Sequence, residues 1–194
     1  MAWHVATAAA AEVRYASFPS ASLGRDVGYA VQLPPSYATG DRRYPVLYVL
    51  HGLFESPAFW EERGLPKLLG DLWTSGDVPE MVVVAVDGDN SFFVDGPLGA
   101  YERLVTRDLV AHVEATYRAT PGRDGRALLG ISMGGYAALR IALSRPELFR
   151  AAIGGGRGWG HGGRYGSRYS QIEEIHRELH GDKPQSGGTS STST

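Results

Sequence analysis

Residues 130–135 read Gly-Ile-Ser-Met-Gly-Gly. A serine with glycine two positions before and two after it fits G-x-S-x-G, the pattern of a nucleophile on a tight strand-to-helix turn. The chemistry explains the spacing. A hydroxyl that attacks a carbonyl must stand clear of the sheet, at the carboxyl end of a strand. The backbone there is strained, so the flanking positions must lack bulk. A helix N-terminus behind the serine adds partial positive charge where a tetrahedral oxyanion develops. Three fixed positions in five recur by chance, so context decides. Here an apolar run at 126–131 precedes Ser132, and a helical pattern at 134–144 follows it. A second stretch, Leu50-His51-Gly52-Leu53-Phe54-Glu55-Ser56, follows another apolar run. Acyl transfer needs two backbone N–H groups aimed at the oxyanion, one after the nucleophile and one from the loop after the third strand. Met133 and Leu53 are the candidates. His51 reads as a structural residue beside that loop rather than as the base.

A serine needs a base. Downstream of Ser132 lie His161, His176 and His180, with Glu173, Glu174, Glu178 and Asp182 as acids. His161 is the candidate, because its loop leaves a strand expected beside Ser132. The competing reading makes all three histidines solvent-facing. Without a base the hydroxyl stays mostly unactivated, and an oxyanion hole alone leaves residual catalysis.

These residues need a scaffold. The chain has 194 residues, 43% hydrophobic and 21% charged, enough for one domain with a real core. Residues 12–18 and 27–33 alternate apolar and polar, which predicts antiparallel opening strands. The continuous apolar runs at 45–50, 81–86 and 126–131 predict strands buried on both faces of a parallel sheet. Helical patterns cover 58–75, 103–118 and 134–144. Alternation of this kind predicts an α/β three-layer sandwich with a mostly parallel sheet. Residues 150–153 begin a further strand. The expected division is a core over 1–153 and a glycine-rich, partly disordered tail over 154–194. Within the tail, Ser170 and Glu173 make a capping box and Gly181 a C-cap, which predicts a short helix over 171–180.

The net charge of −2 gives no electrostatic case for nucleic acid or an anionic membrane as partner. No stretch approaches the length of a membrane span. The absence of cysteine excludes disulfides and thiolate chemistry. The N-terminus lacks the basic region of a signal peptide, so a cytoplasmic location is the default expectation. Asp87-Gly88-Asp89-Asn90-Ser91-Phe92-Phe93 follows the run at 81–86, and such loops line the ligand crevice of a parallel sheet. It also reads as a polar turn with two core phenylalanines. Two carboxylates without further ligands do not make a metal site, and none is expected.

Four segments carry a resemblance: LHGLFES, VVVAVDGDNSFFVDGP, YERLVTRDLVAHVEATYR and LLGISMGGYAALRIALSRPELF. Together they resemble the esterase family of α/β-hydrolases, which includes esterase D (S-formylglutathione hydrolase), feruloyl and enterochelin esterases and the antigen 85 mycolyltransferases. The resemblance spans roughly residues 10–153. It implies an α/β-hydrolase core and ester hydrolysis through an acyl-enzyme on Ser132. Leu53 and Met133 amides would hold the oxyanion, and Asp87, Asn90 and Ser91 would border the acyl or alcohol pocket. It implies a small-molecule ester as substrate and no cofactor. The family places its acid after a seventh strand and its histidine after an eighth. No buried strand run is visible after residue 153, so the expected core lacks its last strands. His161 also precedes every downstream acid, which departs from the family order. Three readings stay open: an esterase, an acyltransferase of the same family, and a catalytically incomplete chain that binds a ligand or partner. An uncovered sheet edge would favour self-association.

Overall fold

The computed structural model describes residues 12–156. The expected helix at 171–180, His161 and the tail beyond residue 156 fall outside that range. The chain opens with β1 (Val13–Ser20) and β2 (Arg25–Gln32), an antiparallel hairpin. Pro34-Pro35 end it, and β3 (Val46–Leu50) follows. Two helices come next, α1 (Phe59–Glu62) and α2 (Leu65–Ser75), then β4 (Val82–Val86). A two-stranded ribbon, β5 (Asp95–Gly96) and β6 (Gly99–Ala100), leads into a long helical segment. That segment runs through α3 (Tyr101–Arg103), six π-helical residues (Leu104–Leu109) and α4 (Val110–Thr116). Then come β7 (Arg126–Ile131), α5 (Met133–Ser144) and β8 (Ala151–Gly155).

The six main strands lie in the order β1-β2-β4-β3-β7-β8. β4, β3, β7 and β8 are parallel, and β2 joins β4 antiparallel. The continuous apolar runs are therefore neighbours, as their composition predicts. Strand pleat explains why they read as continuous apolar stretches. Val82, Val84 and Val86 face a core shared with Leu104, Val105, Leu109, Val113, Ala137 and Ile141. Val83 and Ala85 face the opposite core, with Phe59, Trp60 and Trp73. Both sheet faces are covered by helices, which gives the three-layer sandwich.

Three local differences from the sequence reading have physical causes. The helical pattern at 58–75 is two helices, because Gly64 adopts a left-handed conformation (φ 69°) between them. The helix at 103–118 begins two residues earlier and is π-helical in its middle. Asp108 in that stretch accepts hydrogen bonds from Ser20 Oγ and Ser22 N–H, both at 2.7 Å, tying the helix to the β1–β2 turn. β8 extends to Gly155, past the boundary expected at 153. Gly154 packs on the α5 backbone, where a side chain has no room: its Cβ would lie 2.7 Å from Gly135 O.

Candidate active site

β3, β4 and β7 run parallel, so the loops that follow them emerge at one end of the sheet. Ser132 is the residue between β7 and α5, with φ 54° and ψ −113°. Both flanking glycines are sterically required. A Cβ on Gly130 would sit 1.9 Å from Gly134 O, and one on Gly134 would sit 2.1 Å from Leu50 O. The turn is held on both sides: Ser132 N–H donates to Gly155 O at 2.5 Å, and Gly134 N–H donates to His51 O at 3.1 Å. The second bond joins the elbow to the loop after β3. Among the described residues, five that are not glycine have positive φ: Phe54, Asp89, Phe92, Phe93 and Ser132. All five lie in the loops after β3, β4 and β7. Such conformations cost about 1–3 kcal/mol each and collect at functional sites.

The loop after β3 is organised around one peptide group. His51 is fully buried. Its Nδ1 lies 2.7 Å from Gly52 O, and Gly88 N–H reaches its Nε2 at 3.0 Å. A carbonyl only accepts and an amide only donates, so Nδ1 carries the proton and Nε2 the lone pair. Both nitrogens are engaged, and His51 acts as a structural tie between two loops. Gly52 O also accepts the Glu55 N–H at 3.3 Å. Gly52 N–H donates to Glu55 Oε2 at 2.7 Å, and the other oxygen of Glu55 pairs with Arg63. Phe54 N–H donates to Asn90 Oδ1 at 2.8 Å. Between these, the Leu53 N–H has no acceptor among the described residues, and Leu53 is 37% exposed. Met133 opens α5, where a helix leaves its first amides unused.

The residues expected to border a pocket divide by role. Asn90 bridges to Phe54, as above. Ser91 is buried, its hydroxyl donating to Gly88 O at 2.6 Å and accepting the Phe93 N–H at 3.0 Å, so it braces its own loop. Asp87 Oδ1 accepts the Asp89 N–H at 3.0 Å and lies 3.7 Å from His51 Nε2, too far for a hydrogen bond. Asp89 forms an ion pair with Arg25 at 2.6 Å and accepts the Tyr101 hydroxyl. The rim is apolar at Phe54, 84% exposed, and at Phe92, whose ring meets Tyr136 edge-on at 6.3 Å. The sequence reading did not single out Glu55, Arg25 or Tyr101. Only Glu55 left a signal, as a carboxylate three residues after Gly52. The other described histidine, His112, stacks on Phe18 in the core beside α4. Among the described residues no group of histidines and carboxylates could hold a metal ion.

The family described as "Putative esterase" matches this chain over residues 20–156. The chain belongs to the esterase family. A protein of Xylanibacter ruminicola named endo-1,4-beta-xylanase/feruloyl esterase is 30% identical over 147 residues, covering 71% of this chain and 20% of that protein. The diacylglycerol acyltransferase/mycolyltransferase Ag85A of Mycobacterium tuberculosis is 28% identical over 159 residues, covering 71% of this chain and 40% of its own length. Among solved structures, a ferulic acid esterase superposes with a TM-score of 0.68 at 29% identity, covering 74% of this chain and 58% of that one. This esterase-family chain thus spans less than half the length of those two curated relatives. Its sheet is that of an α/β-hydrolase core from the opening hairpin through β8. No helix among the described residues is long and apolar enough to cross a membrane.

Proposed function

We propose that this chain carries out serine-based ester chemistry at Ser132, acting on a small-molecule carboxylic ester. Ser132 Oγ attacks the ester carbonyl, and the oxyanion is met by the Leu53 and Met133 N–H groups. Collapse of the tetrahedral adduct breaks the carbon–oxygen bond to the alcohol, which leaves with the proton taken from Ser132. Water then attacks the acyl-enzyme and releases the carboxylic acid. The observation that carries this reading is the elbow. Ser132 stands at φ 54° on a turn that Gly134 ties to His51, so the unused amides of Leu53 and Met133 belong to segments bonded to each other. Both described histidines are engaged elsewhere, so the base is sought outside the described residues. His161 is its candidate: the chain that leads to it leaves β8 at Gly155, whose carbonyl accepts the Ser132 N–H.

Similarity to a mycolyltransferase supports a second reading, in which an alcohol replaces water as acyl acceptor. One experiment addresses both. Turnover of a p-nitrophenyl ester is measured, with and without an added acceptor alcohol, for the parent, Ser132→Ala and His161→Ala. Loss of activity in both variants, by several orders of magnitude, supports the Ser132–His161 assignment. Acyl transfer exceeding hydrolysis in the presence of the alcohol favours the acyltransferase. A parent rate that Ser132→Ala leaves unchanged overturns the reading, and where that rate equals the uncatalysed one it leaves a chain that only binds its ligand or partner.

A further inference from the structure

We propose that Glu55 and Asn90 are positioning residues that aim the Leu53 N–H; this rests on the ester-chemistry reading above. A peptide group is planar and trans, so the Leu53 N–H points opposite to the Gly52 carbonyl. That carbonyl is held by the His51 ring and the Glu55 N–H. Rotation of the plane breaks both of these bonds, and where the plane sits is set by the peptide groups on either side of it. Each of those is tied by a side chain. Glu55 closes over Gly52, taking its N–H at 2.7 Å with one carboxylate oxygen and Arg63 with the other. The fit is close: a Cβ on Gly52 would lie 2.8 Å from Glu55 Oε2. On the other side, Asn90 comes from the loop after β4 and takes the Phe54 N–H at 2.8 Å. Phe54 needs such a tie, because it is a bulky, exposed residue at φ 62°. With its neighbours fixed, the Leu53 N–H alone is left to a ligand.

The geometry separates two consequences. An oxyanion donor acts in the transition state, so loss of its aim lowers the maximal rate more than ground-state binding. The test is phosphonylation of Ser132 by a fluorophosphonate, which places a phosphoryl oxygen where the oxyanion forms. The full chain is compared with Glu55→Ala, Glu55→Gln and Asn90→Ala, separating the limiting rate from the half-saturating concentration. Backbone amide exchange over residues 51–55 is read in the same proteins. In Glu55→Ala the limiting rate is expected to fall roughly tenfold or more, below the loss from deleting a donor outright, with half-saturation little changed. The Gly52 amide should exchange faster. Glu55→Gln keeps an oxygen that accepts the same N–H and should restore most of the rate. Asn90→Ala should speed exchange at Phe54, not at Gly52, and slow phosphonylation in the same way. Labelling at parental rates in Glu55→Ala and Asn90→Ala overturns the proposal alone. A parent that takes no label at Ser132 overturns the esterase reading, and this proposal with it.

Discussion

Ser132 has a backbone that an L-residue rarely adopts, and the fold tolerates it because its own N–H is held by Gly155 of β8 and the Gly134 N–H by His51 in the loop after β3. That strain predicts an inverted mutational effect. Ser132→Gly relieves it and should raise stability by about 1 kcal/mol relative to Ser132→Ala, whose Cβ keeps the strain. Thermal unfolding of the two variants measures the difference, and equal midpoints would contradict the strained elbow. The same scale shows what a sequence can reveal. Ser132, Leu53 and Met133 stand out because close backbone approach demands glycines at set spacings, and those glycines are visible in the chain. The Asn90–Phe54 bond joins residues 36 positions apart, and no local pattern encodes it. The inward turn of Ser91 was equally hidden, since a serine in a loop looks the same whether it faces a pocket or braces its own backbone.

The elements follow the hydrophobic pattern closely where burial decides and less closely where single residues do. The runs at 45–50, 81–86 and 126–131 become neighbouring parallel strands because burial on both faces leaves them no alternative. The break at Gly64 depends on one left-handed glycine, and the Ser20–Asp108 bond within the π-helical stretch Leu104–Leu109 joins residues 88 positions apart, neither of which periodicity weighs. The packing of α4 on the hairpin makes a pH-dependent prediction. His112 stacks on Phe18 at 4.7 Å and its Nε2 lies 3.0 Å from the Tyr29 hydroxyl. Burial pushes its pKa below the ordinary histidine value. Protonation is thus easier in the unfolded chain, whose histidine titrates near about pH 6.5. This contribution to stability is full above that pH and is lost as pH falls through it toward the depressed folded value. His112→Gln does not titrate. Its melting temperature should therefore fall less than the parent's between about pH 7 and pH 5. Parallel curves would show that His112 is as easily protonated folded as unfolded.

At the scale of the whole molecule, the sheet is asymmetric. β1 ends it on one side in an antiparallel hairpin with β2, β8 ends it on the other in a parallel pairing with β7, and neither meets a further described strand. Ile153 on β8 is 62% exposed, and Leu143 on the adjoining helix is also exposed. A strand edge with an apolar residue beside it is a template for another strand. We expect concentration-dependent self-association in sedimentation velocity, weakened by Ile153→Lys. An identical monomeric profile for both proteins would contradict it.

The hydrogen bond from Ser132 N–H to Gly155 O has a consequence for the order in which the molecule matures and fails. β8, the outermost of the described parallel strands, serves as the mould in which the nucleophile's turn is set, with Gly135 and Gly154 pressed together behind it. A mould at the margin loosens before the centre does, since local openings cost less than global unfolding. Graded urea should therefore extinguish fluorophosphonate labelling of Ser132 at lower concentrations than it melts the β3–β4 core followed by circular dichroism. The chain would lose its reactivity while most of its sheet is still intact.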